Sequence, residues 1–130
     1  MSTTDLTTIL LQLRAEIESR IREEISGPLN AGKRFLYDAV MPIRLNIIGD
    51  SQECNLEFLP RGNVQLHTGL ASNPDVTVKG DLASLRNAIL KHSALVFEEA
   101  EQSGRIVVIS HTWKGEQAMR KVRELLGSNP

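Results

Sequence analysis

Asn73-Pro74-Asp75-Val76-Thr77-Val78-Lys79-Gly80-Asp81 runs straight into Leu82-Ala83-Ser84-Leu85-Arg86-Asn87-Ala88-Ile89-Leu90. In the first half Val76 and Val78 share one face of a strand and Thr77 and Lys79 the other, a period of two. In the second half Leu82, Leu85 and Ile89 recur at helical spacing, and Asp81 stands where an N-cap belongs. Only Gly80 and Asp81 separate the two patterns. The helix therefore folds back against the apolar face of a sheet. No obvious catalytic group sits in this unit, so the functional question becomes what the apolar surfaces enclose.

Three further alternating segments lie upstream. Ile43, Leu45 and Ile47 oppose Arg44 and Asn46; Cys54, Leu56 and Phe58 oppose Asn55 and Glu57; Val64 and Leu66 oppose Gln65 and His67. Gly49-Asp50-Ser51 and Pro60-Arg61-Gly62-Asn63 are turn sequences, so the three strands are expected as an antiparallel meander with one wet and one covered face. Pro74 holds Asn73 extended at the entry to the fourth strand.

The ends read as helices. Leu6, Ile9, Leu10, Leu13, Ile17, Ile21 and Ile25 form one stripe, predicting a helix over about 5–26 capped by Thr4 or Asp5. Glu16–Arg20 and Glu18–Arg22 support it as acid-before-base pairs four apart. Ser26-Gly27-Pro28 stops it, with Gly27 in the left-handed region. A turn or two of helix is expected in Asn30 to Ala39. Ser93 caps a helix to about Gln102, Gly104 breaks it, and Arg105 to Ser110 is a fifth strand. Trp113 or Lys114 to Leu126 is the last helix, with Met119, Val122 and Leu126 inward.

Bulk properties narrow the class. A chain of 130 residues suits one domain able to bury a core without staples. The formal charge of −1, with acids and bases interspersed, gives no nucleic-acid-binding face and no polybasic membrane anchor. The longest apolar runs, such as Ile106-Val107-Val108-Ile109, fall far short of the roughly 20 residues that span a bilayer. Cys54 is the only cysteine, and Met1 to Asp5 lack a cationic lead-in to an apolar run. A cytoplasmic protein without stable membrane insertion is the expectation.

The order of elements, with the Asp75-Val76-Thr77-Val78 strand feeding Leu82–Leu90, then Ser103-Gly104-Arg105-Ile106-Val107-Val108-Ile109, then Ala118-Met119 in the last helix, resembles the sterol carrier protein 2 (SCP-2-like) lipid-binding domain family. The likeness covers Pro42 to Leu126, with the N-terminal helix as a lead-in. It departs in Ser110-His111-Thr112-Trp113, where family members often have a Gly-Asp or Gly-Asn turn, and in the acidic Glu98, Glu99 and Glu101 after Phe97. The resemblance implies an α+β fold: a five-stranded, mainly antiparallel sheet covered by helices, with an apolar tunnel between the layers. It also implies a non-catalytic carrier for a lipid, fatty acyl, sterol or isoprenoid ligand.

An enclosed void is costly. At about 24 cal/mol per Å³, a cavity of roughly 300 Å³ would cost about 7 kcal/mol, against a total stability of about 5–15 kcal/mol. It is therefore filled by lipid, filled by side chains, or absent. The expected ligand walls are Leu85, Ile89, Val96, Phe97, Met119, Val122 and Leu126; the competing reading is that all seven fill the core.

The remaining polar candidates are weak. His67, His92 and His111 are scattered and lack partners at metal spacing, so no metal and no cofactor is expected. Cys54 alternates with Leu56 and Phe58 and reads as a buried thiol. Trp113 either staples the last helix or lies exposed at an interface. Two other readings stand beside the carrier. One is an interaction or oligomerisation module with a collapsed cavity, including a homodimer that uses the N-terminal helix. The other is an accessory domain of a lipid- or quinone-metabolism enzyme. No triad, carboxylate pair or metal set assembles from the residues, so no enzyme is expected.

Overall fold

The computed structural model describes residues 5–27, 31–91 and 94–127. Thr4, Asn30, His92 and Ser93, named above as caps or candidates, lie outside the described residues. The first helix, α1, is Leu6–Ile25, and the Asp5 carboxylate caps it by accepting from the Thr8 backbone N–H at 2.9 Å. That bond holds the Asp5 carboxyl below its ordinary 3.8. All seven residues of the sequence stripe are buried. Glu18 pairs with Arg22 at 3.7 Å and Arg14 at 3.4 Å, and Gly27 takes φ 94 beyond the helix end.

The second helix, α2 (Ala31–Val40), has no buried residue. It is held by its ends and edges. The Arg34 guanidinium donates to the Ile25 carbonyl at 3.0 Å, and the Asp38 carboxylate accepts from the Arg61 backbone N–H at 2.8 Å.

Five strands follow the expected pattern: β1 (Ile43–Gly49), β2 (Gln52–Phe58), β3 (Val64–Thr68), β4 (Val76–Gly80) and β5 (Ile106–Ser110). Their order across the sheet is β3-β2-β1-β4-β5. β1 to β3 form the antiparallel meander, β4 lies parallel to β1, and β5 returns antiparallel to β4. The register aligns Leu45 with Leu56 and Val76, and Ile47 with Cys54 and Val78, so the alternating apolar residues share one face. α1 covers the β2–β3 side of that face. The other helices are α3 (Leu82–Leu90), α4 (Ala94–Gln102) and α5 (Trp113–Gly127); α5 crosses β1, β4 and β5. Asp81 caps α3 as expected, accepting from the Ser84 N–H at 2.9 Å and its hydroxyl at 2.8 Å.

The second face is less wet than alternation suggests. Asn46 and Asn55 are buried there. Asn46 exchanges two hydrogen bonds with the Ala71 backbone (3.1 and 2.8 Å), and Asn55 donates to the Gly69 carbonyl at 3.0 Å. The loop after β3 thus folds over the sheet and satisfies two amides that would be costly to bury alone.

Asp75, from the deciding stretch, ties three segments together. Its carboxylate accepts from the Arg44 backbone N–H at 2.9 Å and the Thr112 hydroxyl at 2.8 Å, and its carbonyl accepts from the His111 N–H at 2.8 Å. Thr112 in turn accepts from the Gly115 N–H at 3.0 Å. Gly115 packs so closely on the Asp75 carbonyl that no Cβ would fit. The start of α5 is fixed against the entry of β4 by these contacts.

Candidate functional site

Fixing α5 in this way leaves a gap between its first two turns and α1. α2 lies along the side of the gap, and the β1 and β2 ends form its floor. The result is a groove of about 470 Å³. Ile17, Ile21 and Ile25 wall it from α1, Leu36, Tyr37 and Val40 from α2, and Met41, Ile43 and Phe58 from the sheet end. Trp113, Ala118 and Val122 wall it from α5. The polar groups in the lining are Lys33, Lys114, Lys121, Glu24 and Gln117.

The groove opens to solvent. Leu36 is 67 %, Val40 36 % and Trp113 70 % exposed. An open groove does not carry the vacuum cost of an enclosed void; its apolar lining is instead in contact with water. Replacing that water by hydrocarbon is favourable, at about 25 cal/mol per Å² of apolar surface covered.

The polar lining is held in place. Lys121 donates to Glu24 at 2.7 Å, bridging α5 to α1, and that hydrogen bond holds its ammonium above the ordinary 10.5. Lys114 donates to the Pro42 carbonyl at 2.8 Å. Burial pushes the Tyr37 phenol up to about 12, with the Asp38 and Glu18 carboxylates acting in the same sense. Its hydroxyl is buried, with no hydrogen-bond partner among the described residues.

Among the described side chains of the seven named from sequence, only Val122 lines this groove. Leu85, Ile89, Phe97 and Met119 are buried in the core, and Val96 packs against it. The side chain of Leu126 lies outside the described residues. Those residues belong to the buried core or pack on it, whereas the groove runs along α5 from Trp113 to Val122. Leu36, Val40, Trp113 and Ala118 were not singled out as walls. The aromatic at 113 was the one local signal, and it is exposed at the groove mouth.

The other candidates have structural partners. Cys54 is buried, with its sulfur 3.6 Å from the Thr7 hydroxyl. His67 meets Glu57 at 3.0 Å and His111 meets the Thr77 hydroxyl at 2.9 Å. Glu101 pairs with Arg123 at 2.8 Å, and Arg123 lies over the Phe97 ring at 5.5 Å; Glu98 and Glu99 face solvent. Among the described residues, no group of three or more His, Cys, Asp or Glu is placed to hold a metal, and no helix is long and apolar enough to cross a membrane.

A scan against protein-family models finds no match, and neither does a search of curated proteins. Solved structures do match. A UbiJ-SCP2 ubiquinone synthesis protein superposes with a TM-score of 0.54 at 17 % identity, over 90 % of this chain and 97 % of that one. The solution structure of palmitated SCP2L2 from Aedes aegypti gives 0.57 at 18 % identity, over 97 % of both chains. A double mutant of the sec-alkyl sulfatase PisA1 gives 0.51 at 19 % identity, over 82 % of this chain and 17 % of that one. At these identities the likeness is one of fold, and the fold of this chain is the SCP2-like α+β fold.

Proposed function

We propose that this chain is a non-catalytic binding protein that holds the hydrocarbon part of a lipid-like ligand in the groove between α1, α2 and α5. The observation that carries this reading is a groove of about 470 Å³ walled by aliphatic and aromatic side chains and rimmed by lysines. That volume lies within the range of ligand sites, roughly 300–1,000 Å³. Each methylene transferred from water is worth about 0.8 kcal/mol, so an acyl tail needs no polar recognition to stay bound. The palmitated state of the SCP2L2 structure supports an acyl chain as the class of guest. The reading further takes residues 1–130 as a single domain acting in the cytoplasm, with Cys54 as an unreactive thiol.

Organic extraction of the purified protein, followed by mass spectrometry, tests the proposal. A co-purifying lipid, or saturable binding of a fluorescent acyl probe, is the expected result. Absence of both would overturn it.

A second reading, an accessory module of a larger lipid- or quinone-handling system, draws on the sulfatase, of which the matching part is a small fraction, and on the ubiquinone synthesis protein. The exposed Trp113 also favours a partner, a second copy of the chain included. Light scattering separates these outcomes: a dimer whose mass is unchanged by delipidation favours assembly over carriage.

A further inference from the structure

The two edges of the sheet differ. At one edge β3 lies along α1, where the Arg14 guanidinium donates to the Val64 carbonyl at 3.2 Å and the Glu18 carboxylate accepts from the Val64 N–H at 2.9 Å. At the other edge, among the described residues, β5 pairs with β4 alone. A free edge is a template for a further strand, and such edges are ordinarily blunted by lysine, proline or a bulge. β5 has none of these. It reads Ile106-Val107-Val108-Ile109-Ser110, an unbroken β-branched aliphatic run, and its register with β4 is continuous.

Hydrogen bonds on either side of β4 fix which backbone groups β5 offers. The His111 N–H donates to the Asp75 carbonyl at 2.8 Å, one step beyond the pair Val76 and Ser110. The Asp50 N–H donates to the Gly80 carbonyl at 3.2 Å on the β1 side. Backbone groups alternate in direction along a strand. Val107 and Ile109 therefore turn their N–H and C=O groups to β4, and Ile106, Val108 and Ser110 turn theirs away from the sheet. The side chains at this margin are open too. Val107 and Ile109 are exposed on the outer face. On the helix-covered face Ile106 is buried, Val108 half-buried and Ser110 exposed, so the helices leave the end of β5 bare.

We propose that two copies of this chain meet at β5, antiparallel about a two-fold axis through Val108. In that register Ile106 opposes Ser110 of the partner subunit, and Val108 opposes its own equivalent. All three outward-facing residues then fall in hydrogen-bonded pairs. Sliding the register by two residues would push Ile106 or Ser110 past the end of the facing strand. Val107 stands opposite Ile109 of the partner subunit in the closer, non-hydrogen-bonded pairing, and the two-fold repeats that contact. No charged side chain lies between Ile106 and Ser110, so nothing in the paired segment repels its copy. The area covered is small. A strand of 5 residues with two exposed aliphatics falls well below the roughly 800 Å² each partner gives to a stable interface. The dimer is therefore of the weak, concentration-dependent class. No β5 residue lines the groove, so this inference stands apart from the binding reading.

Sedimentation velocity from about 10 μM to about 1 mM, with amide exchange followed at both ends of the range, tests the proposal. The wild type passes from monomer to dimer. Its Val108 amide gains about tenfold or more protection at the high concentration, while the Val107 amide, turned to β4 in either state, stays as it was. The Val107→Lys, Ile109→Lys double variant changes only exposed residues. It sets like charges opposite each other across the two-fold and associates about tenfold or more weakly. The Val107→Lys, Ile109→Glu double variant sets opposite charges in the same places and keeps the wild-type association within about threefold. Thermal melting at the low concentration confirms that both are folded, and the Val108 amide of the wild type tests the edge without either variant. A wild type that stays monomeric throughout, a dimer whose Val108 amide exchanges as in the monomer, or equal association of the two folded variants would overturn the proposal.

Discussion

Gly115 stands against the backbone carbonyl of Asp75, leaving no room for a side chain between them. The contact joins the first turn of α5 to the entry of β4. It also sets where Trp113 and Lys114 emerge, and hence where the groove opens. Fold and candidate site share this one close approach.

Gly115→Ala should therefore destabilise the protein by about 2 kcal/mol or more, because the added Cβ meets the Asp75 carbonyl and Val76 instead of a flexible side-chain end. Urea unfolding measures it. A midpoint equal to that of the wild type would show that α5 is not seated on Asp75.

Met119 is buried on the inner face of α5. Met119→Glu should cost about 3 kcal/mol or more, since the carboxylate has no partner there. The exposed neighbour Arg120→Glu should change stability by no more than about 0.5 kcal/mol. If both variants melt alike, the facing of α5 is wrong.

Ala118 is half-buried and lines the groove from α5. A phenylalanine there occupies space that the wild type leaves to a guest. Ala118→Phe should weaken binding of a fluorescent acyl probe by about tenfold or more while the urea midpoint holds. Undiminished affinity in a folded variant would place the guest elsewhere.

Tyr37 is the only tyrosine, so phenolate absorbance follows it alone. In the folded protein the transition should centre on about 12, against the ordinary 10.0. Between those values the unfolded chain has lost a proton that the folded chain keeps. Stability is therefore full below about pH 10 and declines as pH rises toward about 12. A midpoint at the ordinary value in the native protein would show that the phenol is solvated.

Much of the fold was legible because period-two and period-3.6 patterns are local. Val76 and Val78, the Asp81 cap, and the α1 stripe from Leu6 to Ile25 each declare their element without help from distant residues. The groove was not legible in the same way. Its walls come together through long-range placement: Lys121 reaches Glu24 across 97 positions, and Pro42 receives Lys114 across 72. Periodicity marks which side chains face inward, and it led to Leu85, Ile89, Phe97 and Met119, which fill the core. It cannot mark where two inward faces fail to meet. On α2 the rule gives no guide, since Phe35 and Leu36 are apolar and exposed. Asn46 and Asn55 likewise read as wet until the loop over them supplies partners.

The most direct test of the groove reading is intermolecular NOE spectroscopy of the protein with palmitic acid at saturation. The account predicts contacts from the chain methylenes to Val40, Met41, Ala118 and Val122. Contacts to Leu85, Ile89 and Phe97 instead, or none to any of these residues, would contradict it.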